Sequence, residues 1–364
     1  MTSSPESRFF GHPLQRGGIR TGSLDCPQPL GGEPCRAALV DTGSGLHYTV
    51  AVDRGGDIID ATYRGRSLAW LSPNGLAPAN FAYHAATDWL SGWPGGLLTT
   101  CGPLHVGAPD PTRPHAEGLH GHHSHCRAGV LAVDNPAVGA SAPDFGLTLR
   151  IDDSRMFGPH LQITRRISGT LGQPSIRIED TVANLDNTSA PHHQLYHLNF
   201  GYPLLSPGAK LVLSGRVLTR WGTLDDGRPV DVTKQIPDVL DQHRGAGEGG
   251  LVLADVNADG SHLATVGLIN EAAGLAVAID YDTAGLEKLV VWQHFGPGSY
   301  VCGIEPLHGS LLPEDRSAGE VETLLEPGDT RRYALTIRVA DQPDSIAALL
   351  AHDRPLLIDT TPTL

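Results

Sequence analysis

Glycine and proline are spread along the whole chain, and this dispersion constrains the fold more than any other feature of the sequence. The 364 residues include 44 glycines and 28 prolines, and no single segment collects them as a linker would. Because glycine and proline punctuate turns, their steady recurrence is typical of many strands joined by short connections. The chain therefore favours an all-β architecture over one built on long helices.

Alternation of apolar and polar residues predicts strands between these turns. In residues 333–339 the odd positions are Tyr, Leu, Ile and Val, while Arg338 faces the other way, as in a half-buried strand. Residues 176–182 and 161–167 alternate in the same manner. The best helical pattern, at residues 343–350, is short and begins with proline and aspartate.

These patterns predict an all-β protein, a large antiparallel β-sandwich with few short helices. No internal repeat and no clear linker divides the chain, so we expect residues 36–364 to form a single domain. Residues 1–35 are rich in Gly, Pro and Ser, and we expect a loosely structured N-terminal extension there.

Charge and composition exclude several partners. Lys and Arg total 26 against 40 Asp and Glu, a formal net charge of −14, which opposes nucleic-acid or anionic-lipid binding. No apolar run is long enough to span a membrane, and residues 1–20 lack the apolar core of a secretory signal. The five cysteines form no Cys-x-x-Cys pair and fit reduced thiols. We expect a cytoplasmic protein whose partner is a small molecule.

One histidine and one carboxylate stand out in apolar, strand-like segments. His197 lies in Gln-Leu-Tyr-His-Leu-Asn-Phe-Gly, and Glu305 lies between Ile304 and Pro306. Histidine exchanges protons near neutral pH, and burial should raise the pKa of the glutamate, so the two could act as an acid–base pair. The alternatives are a buried histidine bonded to backbone and a salt bridge from Glu305 to an arginine such as Arg54.

A run of histidines, Gly-Leu-His120-Gly-His122-His123-Ser-His125-Cys126, could ligate a metal. The carboxylate that a His-x-His metal site needs does not follow until Asp134, so we favour a polar loop without metal. Nucleotide-binding glycine motifs, a Gly-x-Ser-x-Gly elbow and His-Glu-x-x-His are all absent from the sequence. Their absence removes the strongest sequence signals for nucleotide use, serine hydrolysis and zinc proteolysis.

Six further motifs resemble, in order, those of the aldose 1-epimerase (galactose mutarotase-like) superfamily, closest to its little-characterised bacterial relatives. The resemblance covers roughly residues 48–340. The matching segments are Arg54-Gly-Gly-Asp-Ile with the turns up to Gly75, the glycine-rich 95–102, Leu119-His120-Gly121, His197-Leu-Asn-Phe, Ile304-Glu305-Pro306 and Leu325-Glu-Pro-Gly-Asp329.

The resemblance implies a β-supersandwich and a cofactor-free interconversion of the α and β anomers of a free sugar. Glu305 would take the proton from the anomeric hydroxyl, His197 would protonate the ring oxygen, and His120 would position the sugar. The residue that would bind the ring hydroxyls of the sugar could be Asp238, Asp241 or His243. The partner molecule would be a monosaccharide or sugar derivative, and the protein a monomer or homodimer.

Aromatic side chains near the pair fit either a surface for stacking a sugar ring or the core. They are Tyr196, Trp292 and Tyr300. Of the three we take Trp292 as a substrate contact, while the roles of His122, His123 and His125 stay open.

Two other functions fit the same residues. A non-catalytic sugar-binding or regulatory protein would keep the cleft without needing the pair. A metal-dependent sugar isomerase or oxygenase would use His120–His125 instead.

Overall fold

The computed structural model describes residues 8–26, 33–80, 85–111, 117–140, 143–224, 227–245, 247–256, 262–311 and 323–358. In chain order its strands are β1 (Gly18–Leu24), β2 (Cys35–Asp41), β3 (Leu46–Ala51), β4 (Asp57–Tyr63), β5 (Arg66–Ser67), β6 (Leu98–Cys101), β7 (Gly129–Asp134), β8 (Asp144–Ser154), β9 (His160–Thr170), β10 (Ser175–Asn184), β11 (Ala190–Pro191), β12 (Gln194–Phe200), β13 (Lys210–Val212), β14 (Arg216–Trp221), β15 (Gly249–Ala254), β16 (Leu263–Asn270), β17 (Leu275–Asp282), β18 (Lys288–Gly296), β19 (Ser299–His308), β20 (Leu324–Leu325), β21 (Thr330–Ala340) and β22 (Leu357–Ile358).

Helices are short in the described part of the chain. The α-helices are α1 (Trp89–Gly92) and α2 (Pro343–Leu350), and single 3₁₀ turns occupy Pro13–Gln15, His123–His125 and Asp241–His243. The predicted helix at 343–350 and the three predicted strands, which became β9, β10 and β21, are confirmed. No described helix is long and apolar enough to cross a membrane.

The described strands form two large sheets and one small one. The larger sheet has the order β1-β2-β3-β4-β6-β12-β19-β18-β15-β14-β22, with β5 added beside β4, and the smaller has the order β13-β16-β17-β21-β10-β9-β8-β7. Strands β11 and β20 pair separately. Every pairing is antiparallel except that of β14 with β22. The all-β, antiparallel prediction is confirmed.

The N-terminal segment differs from the prediction of a loosely structured extension at 1–35. Strand β1 pairs with β2 along its whole length, from Gly18 opposite Asp41 to Leu24 opposite Cys35. Its sequence, Gly-Ile-Arg-Thr-Gly-Ser-Leu, alternates too weakly for a strand to be predicted from it. The strand forms because its backbone pairs with that of β2. Residues 1–7 and 27–32 lie outside the described residues.

The two large sheets pack face to face over one apolar core. On β12 the even-numbered Tyr196, Leu198 and Phe200 point into this core. Leu195, on the opposite side of the strand, belongs to a second apolar cluster that α1 and nearby loops cover. Because both faces of β12 are covered, all seven of its residues are buried. The site described below lies on the second face.

A buried ionic network joins the two sheets. Arg165 of β9 donates to both carboxylate oxygens of Asp180 of β10, at 2.9 and 2.6 Å, and to the carbonyl of Gly55 at 3.2 Å. The hydroxyl of Tyr196, on β12 of the other sheet, donates to Asp180 at 2.7 Å. Charges this deeply buried are tolerated when they are paired and hydrogen-bonded, so the network fixes β12 against the opposite sheet.

Candidate active site

Sheet register brings His197 and Glu305 together across adjacent strands. Leu195 pairs with Leu307 and Leu198 with Ile304, and this register places His197 opposite Glu305 on the covered outer face. Directly opposite residues on one face are cross-strand neighbours. Residues 108 positions apart in sequence thus become a pair through the β12–β19 ladder.

The two side chains touch inside the protein. Nε2 of His197 lies 3.3 Å from Oε1 of Glu305, and the side chains are only 6% and 2% exposed. Oε1 has no hydrogen-bond partner of good geometry among the described residues. Arg54, the alternative partner considered for Glu305, instead donates to the carbonyl of Gly92 at 2.9 Å.

Burial displaces the pKa of each member in the direction of its uncharged form. The pKa of the Glu305 carboxyl is raised well above its usual value by burial, and the charge of Glu248 adds to the rise. The pKa of His197 is lowered to about 3 by burial, which Asn199 partly offsets. In the free protein burial therefore favours the protonated carboxyl of Glu305 beside the neutral imidazole of His197.

Two glycines make room for the side chains on this face. A Cβ on Gly303 would lie 2.2 Å from Oε1 of Glu305, and a Cβ on Gly250 would lie 2.1 Å from the indole of Trp221. Gly303 pairs with Trp292, and Gly250 with both Trp292 and Trp221, so all four lie in one row across the sheet. Any larger residue at these two positions would displace the carboxylate or the indole.

All five tryptophans of the chain gather around the pair. Trp93 lies 5.4 Å from the ring of His197, and Trp292 lies 5.5 Å from it on another side. Trp89 stacks on Trp93 at 4.9 Å, and Trp70 contacts Trp93 at 5.2 Å. The fifth, Trp221, packs against the same cluster.

Hydrogen bonds fix the orientation of three of these indoles. The N–H of Trp89 donates to Ser124 at 3.1 Å and that of Trp93 to Thr99 at 2.9 Å. The N–H of Trp292 donates to the carboxylate of Glu248 at 2.8 Å. Since each of these three N–H groups is hydrogen-bonded, the orientations of the aromatic faces are fixed.

The pair and four of the tryptophans line a cavity of about 330 Å³ that opens to the surface at exposed residues such as Thr87 and Glu248. Its volume is within the range of about 300–1,000 Å³ usual for small-molecule sites. The described residues that line it are Thr87, Trp89, Leu90, Trp93, Gly107, Ala108, Leu119, His120, His197, Trp221, Glu248, Val290, Trp292, Glu305 and Leu311. All four residues predicted for the site, His120, His197, Trp292 and Glu305, are among them.

His120 reaches the cavity from a tight loop. Its backbone has φ = +60°, an uncommon conformation for a residue with a side chain. Its imidazole lies 5.8 Å from that of His197 and 4.8 Å from Trp89. Burial holds the pKa of His120 well below its usual value, and the charge of a protonated His197 would lower it further. It is therefore a neutral hydrogen-bonding group at neutral pH.

The three alternatives for binding ring hydroxyls lie elsewhere. Asp241 is exposed and paired with Arg244, and Asp238 accepts from the N–H of Val239. His243 is buried and accepts from the N–H of Phe295 at 3.1 Å. None of the three is among the described lining residues. Tyr196 and Tyr300 likewise pack with the core between the sheets.

The remaining histidines of the run separate into three different surroundings. His123 bonds the carbonyl of Gly55 at 3.0 Å, and burial lowers its pKa to about 3. His125 lies 3.4 Å from Arg54, and burial lowers its pKa to about 2. His122 lies 2.6 Å from Arg155. Within the described ranges, no group of three His, Cys, Asp or Glu side chains is placed to hold a metal ion.

A family model described as "Domain of unknown function (DUF4432)" matches residues 32–339. The chain belongs to this DUF4432 family. No curated protein matches the chain.

Solved structures show which fold this DUF4432 protein has. A Klebsiella pneumoniae protein named as a candidate aldose 1-epimerase has a TM-score of 0.78 at 19% identity, covering 100% of this chain and 94% of its own. A galactose mutarotase-like protein from Clostridium acetobutylicum has a TM-score of 0.62 at 13% identity, covering 90% and 100%. Galactose 1-epimerase from Lactobacillus acidophilus has a TM-score of 0.53 at 10% identity, covering 88% and 98%. The fold is galactose mutarotase-like, as the sequence motifs indicated.

Sequence reasoning missed part of the cavity of the DUF4432 protein. Trp89, Trp93, Trp221 and Glu248 line it, but none belongs to the motifs that carried the resemblance. The one nearby signal was that Trp93 stands two residues before the glycine-rich segment 95–102. The four residues come from a helix, a strand and a loop, so only the fold shows that they meet.

Proposed function

We propose that this protein is a cofactor-independent aldose 1-epimerase, which opens and recloses the ring of a free sugar. The observation that carries the proposal is the 3.3 Å contact between His197 and Glu305 inside a tryptophan-lined cavity. Ring opening needs one group to accept the proton of the anomeric hydroxyl and another to protonate the ring oxygen. Two adjacent groups that share one proton meet this need.

What the reaction requires of the pair is that it hold one proton in total, whichever of the two side chains carries it in the free protein. Glu305 protonated beside neutral His197 holds the same number of protons as Glu305 ionised beside protonated His197. Because the two side-chain atoms are 3.3 Å apart, one proton transfer interconverts these forms. Burial favours the uncharged form in the free protein, and hydroxyls of a bound sugar would favour the ionised form by hydrogen bonding to the carboxylate.

In the sugar complex we assign Glu305 as the base that removes the anomeric proton. His197 then donates its proton to the ring oxygen as the C1–O5 bond breaks. Rotation about C1–C2 presents the other face of the aldehyde, and reclosure returns both protons. His120 lies near enough to His197 to position the same end of the sugar, and the indole of Trp292 would support the ring.

The test is the exchange rate between α and β sugar signals, measured by NMR magnetisation transfer with purified protein. Glu305→Gln and His197→Gln should each lower the rate by roughly 10²–10⁴-fold, the usual contribution of a general acid or base. Both variants should keep the wild-type circular dichroism spectrum. Exchange that persists at the wild-type rate in both variants would refute the proposal.

A second histidine–glutamate contact provides a matched control. His308 lies 2.9 Å from Glu287, outside the cavity. Glu287→Gln makes the same chemical change as Glu305→Gln, and it should leave the exchange rate within about twofold. Sugar binding without any acceleration would instead favour the non-catalytic sugar-binding protein.

A further inference from the structure

The polar side chains of the cavity divide into a buried pair and an exposed rim. His197 and Glu305 are buried, whereas Thr87 and Glu248 are exposed and His120 is partly buried. The backbone at Gly107 is already bonded, since its N–H donates to Nδ1 of His120 at 3.3 Å and its carbonyl accepts from the N–H of His120 at 3.0 Å. Among the described buried residues that line the cavity, the side chains with hydrogen-bonding groups are His197, Glu305 and the indoles of Trp89 and Trp93, whose N–H groups are already bonded.

The sheet beneath the cavity turns apolar immediately beside Glu305. Val290 of β18 lies directly opposite Glu305, and Val252 of β15 lies directly opposite Val290. The neighbouring row carries the indoles of Trp292 and Trp221. A sugar held by the pair therefore has valine and tryptophan, rather than polar side chains, beneath the rest of its ring.

Sugar geometry decides which substituent meets this apolar surface. The pair must reach the anomeric oxygen and the ring oxygen, and C5 is bonded to the ring oxygen. C2 and C5 are therefore both held at the buried end, the C2 hydroxyl beside the anomeric oxygen and the C5 substituent beside the ring oxygen, whereas C3 and C4 are across the ring, toward the rim. A hydroxyl on that substituent would be buried without a partner, which is costly, while a methyl group would gain by burial.

We propose that the preferred substrate class is a neutral 6-deoxyhexose, in which a methyl group replaces the hydroxymethyl group on C5. This inference rests on the proposed epimerase function. None of the described lining residues is lysine or arginine, so this part of the lining offers no permanent cation to a phosphorylated or carboxylated sugar. The carboxylate of Glu248 at the rim also opposes anions.

Three pairs of sugars that differ by a single oxygen test the inference: fucose with galactose, quinovose with glucose, and rhamnose with mannose, each of matched configuration. Anomer exchange is measured by NMR, and binding is measured separately by quenching of tryptophan fluorescence, since four of the chain's five tryptophans line the cavity. We expect kcat/KM to favour the 6-deoxy member by about 10- to 100-fold in at least one pair, the scale on which apolar pockets discriminate.

Variants of two paired valines locate the effect. Val290→Thr adds a hydroxyl to the cavity at almost constant volume and should reduce the preference at least about threefold. Val252→Thr makes the same change on the same face of the sheet but outside the described cavity lining, and it should leave the preference unchanged.

Each outcome separates the two proposals. Acceleration that is equal for, or greater with, the parent hexose in every pair would overturn the inference and leave the epimerase function standing. Quenching selective for 6-deoxy sugars without acceleration would support the substrate class and refute the epimerase. No quenching and no acceleration with any of the six sugars would refute both.

Discussion

Tyr196 and His197 are consecutive residues of β12, yet the side chain of Tyr196 belongs to a fully hydrogen-bonded cluster and that of His197 to an incompletely bonded one. Tyr196 faces the other sheet and completes the network of Arg165 and Asp180, in which both carboxylate oxygens are hydrogen-bonded. His197 faces the cavity and touches Glu305, whose Oε1 lacks a well-formed hydrogen bond to any described residue. Complete pairing is typical of a structural network, whereas an incompletely bonded group that also lines a cavity can bond a ligand.

We expect the largest effect from a substitution in the structural network of Arg165, Asp180 and Tyr196. Asp180→Asn removes the charge opposite Arg165, whose side chain is completely buried. Breaking a buried ion pair typically costs about 3–5 kcal/mol, and because Asp57 also lies 3.7 Å from Arg165, we expect a loss of about 3 kcal/mol in urea unfolding. Glu179→Gln, on the same strand but exposed, should cost less than about 1 kcal/mol. An Asp180→Asn loss no greater than that of the control would show that the network contributes little to stability.

Loss of a single hydroxyl should have a smaller effect. Tyr196→Phe removes the bond to ionised Asp180, and hydrogen bonds to charged groups contribute about 1.5–3 kcal/mol. Tyr281→Phe is the matched control, because that buried hydroxyl has no hydrogen-bond partner among the described residues. We expect it to be neutral or stabilising in the same urea unfolding. Equal losses in the two variants would mean that ring packing, not the bond to Asp180, determines the effect.

Acidity should affect the two clusters in opposite directions. Burial opposes the charge of Asp180, but Arg165 and Tyr196 outweigh it and lower the pKa, so its stabilisation is present above about pH 3.8 and is lost on acidification. The pKa of Glu305 is raised, so the folded state retains a proton that the unfolded state loses above about pH 4.5. The contribution of Glu305 to the free energy of unfolding therefore falls as pH rises. The total fall is about 1.4 kcal/mol for each unit by which its pKa in the folded state exceeds that in the unfolded state.

Thermal unfolding of Glu305→Gln and wild type across pH 4 to 9 measures this difference. The Gln variant cannot ionise, so its stability advantage over wild type should grow as pH rises above 4.5. His197 is present in both proteins, and its lowered pKa destabilises both on acidification. An advantage that stays constant with pH would mean that Glu305 is ionised or well solvated in the free protein.

Alternation in the sequence located three of the eight described strands of the smaller sheet and none of those of the larger one. Strands β9, β10 and β21 face solvent on one side, so their alternation is visible. Strand β12 is buried on both faces, and its sequence shows no alternation to assign a face to His197. The cluster at Trp93, Trp221 and Glu248 depends on strand order, which local patterns do not encode.

The close spacing of four histidines in the sequence also gave little information about which of them lie at the site. His120, His122, His123 and His125 are close in sequence, but positive φ angles at His120 and Gly121 and the 3₁₀ turn after them point the rings in different directions. Only His120 is among the described lining residues of the cavity. Proximity along a tight loop therefore carried less information than cross-strand register, which joined His197 to Glu305.

The smallest expected effect concerns Glu248, the exposed carboxylate that connects the cavity rim to the pair. It accepts from the indole of Trp292 and adds to the rise in the pKa of Glu305. Glu248→Gln keeps an acceptor for the indole but loses the charge, whereas Glu248→Leu loses both. A hydrogen bond contributes about 0.5–1.5 kcal/mol, so Glu248→Leu should raise KM about 2- to 10-fold, with a smaller change in kcat. Glu248→Gln should leave KM near the wild-type value, because Trp292 stays in place. Equal KM changes in the two variants would show that the charge of Glu248, and not its hold on the indole, acts on the sugar.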